Sequence, residues 1–222
     1  MNLRDNCLIF LLLLTLSVFG HACGNTQTAT FSDPNLELAI REGISKPEGP
    51  ILTSELQQLT FLNAVGRNIT DLRGLEHLDN LESINLGENN ISNVSPLASL
   101  TRTENILLYE NQIKDISPLA SLSNLSRLHL LGNQIEDISP LASLDNLYSL
   151  VLSENQITDI SALSSLKTLT ILYLRDNRIT DISPLTALSN LKVVDLERNP
   201  LSSESINIYL PQLKQRGVDV RW

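Results

Sequence analysis

One asparagine recurs every 22 residues along most of this 222-residue chain, and the residues around it recur with it. The segment LGNQIEDISPLASL at 131–144 returns almost unchanged as YENQIKDISPLASL at 109–122 and as RDNRITDISPLTAL at 175–188. The asparagines in this phase are Asn89, Asn111, Asn133, Asn155, Asn177 and Asn199. A fixed period of this length predicts a solenoid, in which each copy is one structural unit stacked on its neighbours.

Each asparagine follows a constant apolar frame, with leucine, isoleucine or valine placed eight, five and three residues before it. One copy has Thr103 at the first of these positions, and a divergent leading copy has Arg67 where the asparagine would stand. A single copy cannot bury its own leucines, but stacked copies share a continuous core in which each leucine contributes about 1.5–3 kcal/mol. The frame therefore predicts one short strand per copy, the strands forming a parallel sheet. We expect the asparagine amides to form a ladder that satisfies buried backbone groups.

The segment DISPLASL, which closes each repeat, predicts a short helical or 3₁₀ turn on the opposite, convex side. Serine is a good helix N-cap and proline suits the first helical position, as at Ser139 and Pro140. An aspartate recurs two residues before the serine, and we interpret it as a local cap or turn residue rather than as a metal ligand. The recurring aspartates are Asp115, Asp137, Asp159 and Asp181, with Asp71 in the same phase of the leading copy, where Arg73 stands in place of the serine.

The two ends of the array break the repeat and are predicted to cap its core. Residues 31–58 form the predicted N-terminal cap, with a helix over 33–44 that has Asp33 as its N-cap and a second helix over 53–59. The repeats are expected to occupy 59–201. Residues 202–222 form the predicted C-terminal cap, a helix that contains or ends at Pro211, a stop at Gly217 and a closing strand.

The frame L-x-x-L-x-L-x-x-N-x-L is that of the leucine-rich repeat, and the 22-residue form NQIxDISPLAxL resembles the repeats of internalins. The resemblance covers residues 31–222. It implies an α/β solenoid, curved, with a parallel concave sheet and short 3₁₀ or irregular convex turns, that binds a protein partner. Neither the immunoglobulin-like flank nor the LPxTG tail of internalins occurs in this sequence, so adhesion to a host cell is not implied.

Residues 1–22 have the layout of a secretory signal peptide. A polar start with one arginine precedes the uncharged run LIFLLLLTLSVF at 8–19, and GHAC follows at 20–23. The apolar run is shorter than the roughly 20 residues that cross a bilayer, although a short membrane anchor is the alternative interpretation.

Cys23 and the residues before it resemble the lipobox of bacterial lipoproteins, in which the cysteine is lipidated and becomes the new N-terminus. Ala22 matches that motif, whereas Gly20 stands where an aliphatic residue is usual. Gly24 after the cysteine implies no inner-membrane retention signal. Ordinary cleavage before Cys23 is the alternative, and would give a secreted protein. Residues 23–30 are expected to form a flexible tether.

Function is expected at the variable positions of the sheet, since the frame residues are committed to packing. Aligned by phase, the middle repeats place apolar and aromatic residues there, with charged groups such as Glu110, Glu154 and Asp176 around them. The predicted partner-binding residues are Leu107, Tyr109, Arg127, His129, Leu131, Val151, Ile171, Tyr173 and Arg175. A general preference of strands for such residues is the alternative. Polar residues at the equivalent positions of the first and last repeats favour a binding surface.

Other function classes have little support in the sequence. A net charge of −9 argues against nucleic acid and against binding to anionic lipid headgroups. No nucleophile motif, phosphate-binding loop or metal motif occurs, so no catalytic residue, cofactor or metal is predicted. The expectation is a non-catalytic, monomeric protein-binding module in the cell envelope, attached to the membrane only through a lipid at Cys23. A structural or carbohydrate-binding envelope protein, with Tyr109 and Tyr173 stacking on sugars, is the alternative; an enzyme with an unrecognised site has less support.

Overall fold

The computed structural model describes residues 27–222, so the predicted signal peptide, Cys23 and the start of the predicted tether lie outside the described residues. The end of that tether was predicted wrongly, because Thr28–Ala29 form a strand that pairs antiparallel with Ile51–Leu52, and Ala29 is buried. Three helices and ten strands are present in this part of the chain. The helices are α1 Pro34–Gly43, α2 Thr53–Leu56 and α3 Leu210–Gln215. The strands are β1 Thr28–Ala29, β2 Ile51–Leu52, β3 Phe61–Asn63, β4 Ser83–Asn85, β5 Asn105–Leu107, β6 Arg127–His129, β7 Ser149–Val151, β8 Ile171–Tyr173, β9 Val193–Asp195 and β10 Asp219–Arg221.

Strands β3 to β10 form one parallel sheet in which each strand lies beside the next one along the chain. From β3 to β9 the register between neighbours is one repeat, so that Ile106 pairs with Leu128 and Leu107 pairs with His129. Within a strand the middle residue is buried while the residues on either side of it face outward. The sheet therefore presents the same phase of the repeat along its whole concave face, as the sequence predicted.

The convex side consists of short 3₁₀ turns, one for each repeat. They span Leu75–His77, Ser95–Ser99, Ser117–Ser121, Ser139–Ser143, Ser161–Ser165 and Ser183–Ala187. Each turn has one buried leucine, and the frame leucines of the sheet are buried as well. One continuous hydrophobic core between the two layers follows from this arrangement.

The predicted role of serine as the N-cap of these turns was wrong. The serine is the first residue of the turn, and the residue before it makes no side-chain capping bond. The cap is instead the recurring aspartate, because Asp137 accepts a hydrogen bond from the backbone N–H of Ser139 at 2.8 Å. The same bond recurs from Ser117 to Asp115. These aspartates are turn residues, as interpreted from the sequence.

The predicted asparagine ladder is confirmed, and Asn133 shows its geometry. Its Oδ1 accepts a hydrogen bond from the backbone N–H of Ile113, one repeat earlier, at 3.0 Å. Its Nδ2 donates to the carbonyls of Leu108 and Leu130 at 2.9 and 3.1 Å. Each amide thus ties its own turn to the preceding repeat, and the bonds recur at every asparagine from Asn89 to Asn199.

Asp33 holds the N-terminal cap to the first repeat. Its Oδ1 caps α1 by accepting from the backbone N–H groups of Asn35 and Leu36 at 2.9 and 3.2 Å. Its Oδ2 accepts from the backbone N–H and the hydroxyl of Thr70 at 2.8 and 3.2 Å. Burial by itself would raise the pKa of this carboxyl, but the backbone N–H bonds outweigh it and lower that pKa below its ordinary value. The second cap helix is shorter than predicted and ends at Leu56.

The C-terminal cap contains a widened helical turn that the sequence did not predict. Residues Ser205–Tyr209 form a π-helical turn that runs directly into α3, and Pro211 lies inside that helix. Proline cannot donate a backbone hydrogen bond, and a wider turn is one way for a helix to continue past it. Gly217, at φ 80°, ends the helix, and β10 then pairs parallel to β9.

We expect Asn133→Ala to lower the free energy of unfolding by about 2–4 kcal/mol, because a buried backbone N–H and several carbonyls lose their partner. Asn199→Ala is the matched control, since Asn199 makes the same bonds in the last repeat but is partly exposed, so that water can replace the amide. Urea unfolding followed by circular dichroism measures both. Equal losses in the two variants, or a loss below about 1 kcal/mol for Asn133→Ala, would contradict the ladder as the main stabilising element.

Candidate functional site

The concave face of the sheet carries a central row of side chains that is continuous across four strands. Leu107, His129, Val151 and Tyr173 are direct cross-strand partners in that order. Neighbouring strands lie about 4.8 Å apart, so these side chains touch or nearly touch along the row. We call these four residues the central row.

The two flanking columns are less continuous than the sequence suggested. Ser149 separates Arg127 from Ile171, since it is the cross-strand partner of both. On the other side, Ser153 occupies the corresponding position between Leu131 and Arg175, and it is buried. Tyr109 and Leu131 lie in the same flanking column on adjacent strands, where the backbone ladder continues from Glu110 N–H to the carbonyl of Leu131. The nine predicted residues therefore share one face but do not form an unbroken apolar patch.

Tyr109 is held in place by two neighbours. Its ring centroid lies 5.2 Å from that of His129, with the two rings tilted by 34°. Its other contact is Gly87, where a side chain would bring a Cβ to within 2.3 Å of the Tyr109 ring. Glycine at 87 is therefore what allows the ring to lie against the sheet backbone at this position.

His129 is half-buried in the central row between Leu107 and Val151. Burial lowers the pKa of its imidazole below the ordinary value of 6.5, because the charged form loses solvation there. The ring is therefore neutral at pH 7, with one N–H donor and one acceptor nitrogen.

The two predicted site arginines have different electrostatic surroundings. Arg175 forms ion pairs with Asp176 at 3.1 Å and with Glu197 at 2.6 Å, so its charge is compensated within the protein. Arg127 has no ion-pair partner among residues 27–222. Its guanidinium carbon instead lies 5.5 Å from the ring centroid of Tyr148, a cation–π contact.

A shallow depression of about 280 Å³ lies on the concave face beside the central row. The residues around it are Ser83, Asn105, Leu107, Arg127, His129, Ser149 and Val151, together with the buried frame residues Ile106 and Leu128. Four of these nine were predicted as site residues. Ser83, Asn105 and Ser149 were missed, because an apolar criterion gives small polar residues no signal even though they occupy the same columns.

Phe61 is a further exposed aromatic residue on this face that the sequence reasoning missed. It lies on β3, the first strand of the parallel sheet, and 56% of its surface is accessible. Its cross-strand partner is Ser83, which borders the depression. This flanking column therefore begins with an aromatic residue, whereas the central column begins with the polar Asn63 and Asn85.

Acidic residues border the concave face where the strands end. The residue immediately before each ladder asparagine has a positive φ, and at most of these positions it is acidic. The acidic members are Glu88, Glu110, Glu154 and Asp176. In the remaining copies, Gly132 and Arg198 hold the same backbone conformation. We call these four carboxylates the acidic edge.

Two further properties concern the described residues as a whole. Residues 27–222 contain no group of three or more His, Cys, Asp and Glu side chains arranged to hold a metal ion. No helix in this part of the chain is long and apolar enough to cross a membrane.

The repeats match a known family, and the fold matches solved structures. The family described as leucine-rich repeats (2 copies) matches at residues 57–99, 104–143, 124–166 and 167–209. A sequence search of curated proteins gave no match.

Two similar solved structures are internalins from Listeria monocytogenes. One is 32% identical with a TM-score of 0.82, and the match covers 88% of this chain and 58% of the internalin chain. This chain thus spans little more than half the length of that protein. The second is 34% identical with a TM-score of 0.63, covering 83% of this chain and 96% of its own. A leucine-rich repeat protein from Leptospira interrogans is 25% identical with a TM-score of 0.64, covering 78% of this chain and 45% of its own.

We expect NMR titration of His129 to give a pKa below 6.5, and Leu107→Ala with Val151→Ala to move it back toward that value by restoring water around the ring. Ile171→Ala, two strands away, is the control and should leave the pKa unchanged.

The lowered pKa of His129 also predicts how stability depends on pH. At pH values between the pKa of the folded state and 6.5, the unfolded chain binds more protons than the folded one. The free energy of unfolding should therefore fall as pH decreases through that interval, and His129→Gln should remove this contribution. A folded-state pKa at or above 6.5 would contradict the burial of the ring.

Proposed function

The chain belongs to the internalin-like class of the leucine-rich repeat family, and on that premise we propose that it is a non-catalytic module which a bacterium exports to its envelope to bind a protein partner. Leucine-rich repeat domains typically serve as protein-interaction modules, since stacked repeats create an extended concave surface. The proposed binding surface is the concave face around the central row, together with the flanking residues Tyr109, Arg127, Leu131, Ile171 and Arg175.

The central row is the observation that carries this proposal. Leu107, Val151 and Tyr173 are partly exposed and lie in one row with His129 between the first two, so the row is a largely apolar strip open to solvent. Charged residues border it, among them the acidic edge and Arg175. An apolar centre with aromatic anchors and a charged rim is typical of surfaces that bind proteins.

A protein partner accounts for this surface better than a carbohydrate does. Sugar binding by stacking needs exposed aromatic faces, and Tyr109 and Tyr173 were the candidates for it. Tyr109 packs against Gly87 and His129, which leaves less of its ring for a ligand. Tyr173 has Val151 and Asp195 as its cross-strand neighbours, so an aliphatic side chain lies on one side of it and a carboxylate on the other.

Export and membrane attachment rest on the N-terminal sequence. Residues 1–22 would direct export, Cys23 would carry the lipid and residues 23–26 would tether the repeats to the membrane, since the chain from residue 27 onward belongs to the N-terminal cap. The repeat domain would act there as a monomer. With ordinary cleavage instead of lipidation the same module would be secreted.

A differential capture experiment tests the binding surface. The bait is the protein as its cell exports it, mixed with native envelope extract and culture medium of the producing bacterium. Val151→Asn with Tyr173→Asn should abolish capture of the partner at unchanged fold, because asparagine already occupies this column at Asn63 and Asn85. Ala142→Asn with Ala187→Asn places the same substitutions at exposed convex positions and should capture as the unmodified protein does. Equal capture by both double variants, or no capture by any bait, would refute concave binding.

Lipidation is tested by Cys23→Ala. We expect this variant to leave the membrane fraction and to lose incorporation of labelled palmitate, because the thiol is the only proposed attachment point. A tagged unmodified chain and a Cys7→Ala variant are the controls, since Cys7 lies within the predicted signal peptide. Membrane attachment that survives Cys23→Ala would favour the short apolar anchor instead.

A further inference from the structure

We propose that the depression beside the central row recognises a single carboxylate of the partner, an aspartate or glutamate side chain, with Arg127 as its ion-pair partner. This inference rests on the proposed function and specifies the chemistry of the partner at one point of the concave face.

The size of the depression suits one side chain. Its volume of about 280 Å³ lies at or below the lower end of the range usual for pockets that hold small-molecule ligands. It is open on the concave face, next to Leu107 and Val151 of the central row. A partner segment lying on that row could therefore insert one side chain beside it.

The charge of Arg127 is uncompensated and its guanidinium is oriented. Arg175 shows the contrast, since Asp176 and Glu197 neutralise it. The guanidinium carbon of Arg127 lies over the Tyr148 ring, a cation–π contact that uses none of its N–H donors. A guanidinium presented in this way can bind a carboxylate through two parallel hydrogen bonds.

Polar groups of four other residues surround the depression, and their side chains make no hydrogen bond to any of residues 27–222. Ser83, Asn105 and Ser149 occupy the same column as Arg127 on successive strands, and His129 borders them from the central row. The Oδ1 atom of Asn105 is buried and has no hydrogen-bond partner in the described part of the chain. Convex serines differ, because Ser121 and Ser165 donate to carbonyls of the preceding repeat. Two hydroxyls and one neutral imidazole can donate to a carboxylate.

The balance of charge favours a carboxylate over a dianion such as phosphate. The depression offers one positive charge, because burial lowers the pKa of His129 and keeps the ring neutral at pH 7. The whole chain carries −9, and Glu88, Glu110 and Glu154 line the nearby end of the strands. A polyanion would be repelled by this edge, whereas a segment with one acidic residue and neighbouring lysine or arginine complements both features.

The direct test is an NMR titration of the ¹⁵N-labelled protein with N-acetylglutamate N-methylamide. Its uncharged isostere, N-acetylglutamine N-methylamide, and inorganic phosphate are the comparison probes. We expect the glutamate probe to shift the amides of Ser83, Asn105 and Arg127 and to bind at least about tenfold more tightly than the glutamine probe, because a charge-assisted bond is made only by the former. Arg127→Gln should reduce that preference to about onefold.

Arg175→Gln is the matched control, because it removes a concave arginine whose charge is already paired. It should retain the preference for the glutamate probe, and Arg127→Lys should retain part of it, since a point charge remains without the planar fork. Dispersed amide spectra establish that each variant is folded.

Three results would overturn the inference: equal binding of the two amino-acid probes, an unchanged preference in Arg127→Gln, or no saturable binding up to about 50 mM. Tighter binding of phosphate than of the glutamate probe would also overturn it and assign a different anion. The outcome is separable from that of the capture experiment. One such outcome is that the unmodified protein captures the partner, the Val151→Asn, Tyr173→Asn variant does not, and the glutamate probe does not bind. In that case the concave binding surface stands and the carboxylate site is refuted.

Discussion

The structure depends on one requirement, that the chain must bend into its own core after every strand without leaving buried backbone groups unpaired. The asparagine amide meets it, as Asn133 shows by accepting from Ile113 and donating to Leu108 and Leu130. These bonds join each repeat to the one before it, so they also fix the 22-residue register of the sheet. The alignment of the central row, and with it the concave surface, is a consequence of that register.

Because the frame residues are committed to packing, chemical variety is confined to the outward positions of the strands. There the protein combines an apolar row with two arginines in opposite electrostatic states. Arg175 is neutralised by Asp176 and Glu197, whereas Arg127 stacks on Tyr148 and retains its charge. This difference supports a division of the face into an apolar contact strip and a point that recognises an anion, within a surface of net negative charge.

The repeat frame, the strand phase and the N-cap at Asp33 were predictable, because each depends on local spacing or on residue types with one dominant role. The serine of DISPLASL was misassigned because the 3₁₀ turn begins at the serine itself, and the aspartate two residues earlier accepts the serine's own backbone N–H. Ser83, Asn105 and Ser149 were missed because their importance comes from their neighbours across the sheet and not from their own type. Phe61 was missed because the criterion searched only the middle repeats.

The sequence by itself determined the solenoid, the order of its strands and the identity of each concave column, since a 22-residue period with buried leucines admits only stacking in register. It also determined the overall negative charge. Only the tertiary structure decided where individual side chains lie. The turn of Arg127 toward Tyr148, the contact of Tyr109 with Gly87 and the wide helical turn before Pro211 each depend on neighbours brought together by folding. Rotamers and helix distortions follow from such packing, and a periodic pattern carries no information about them.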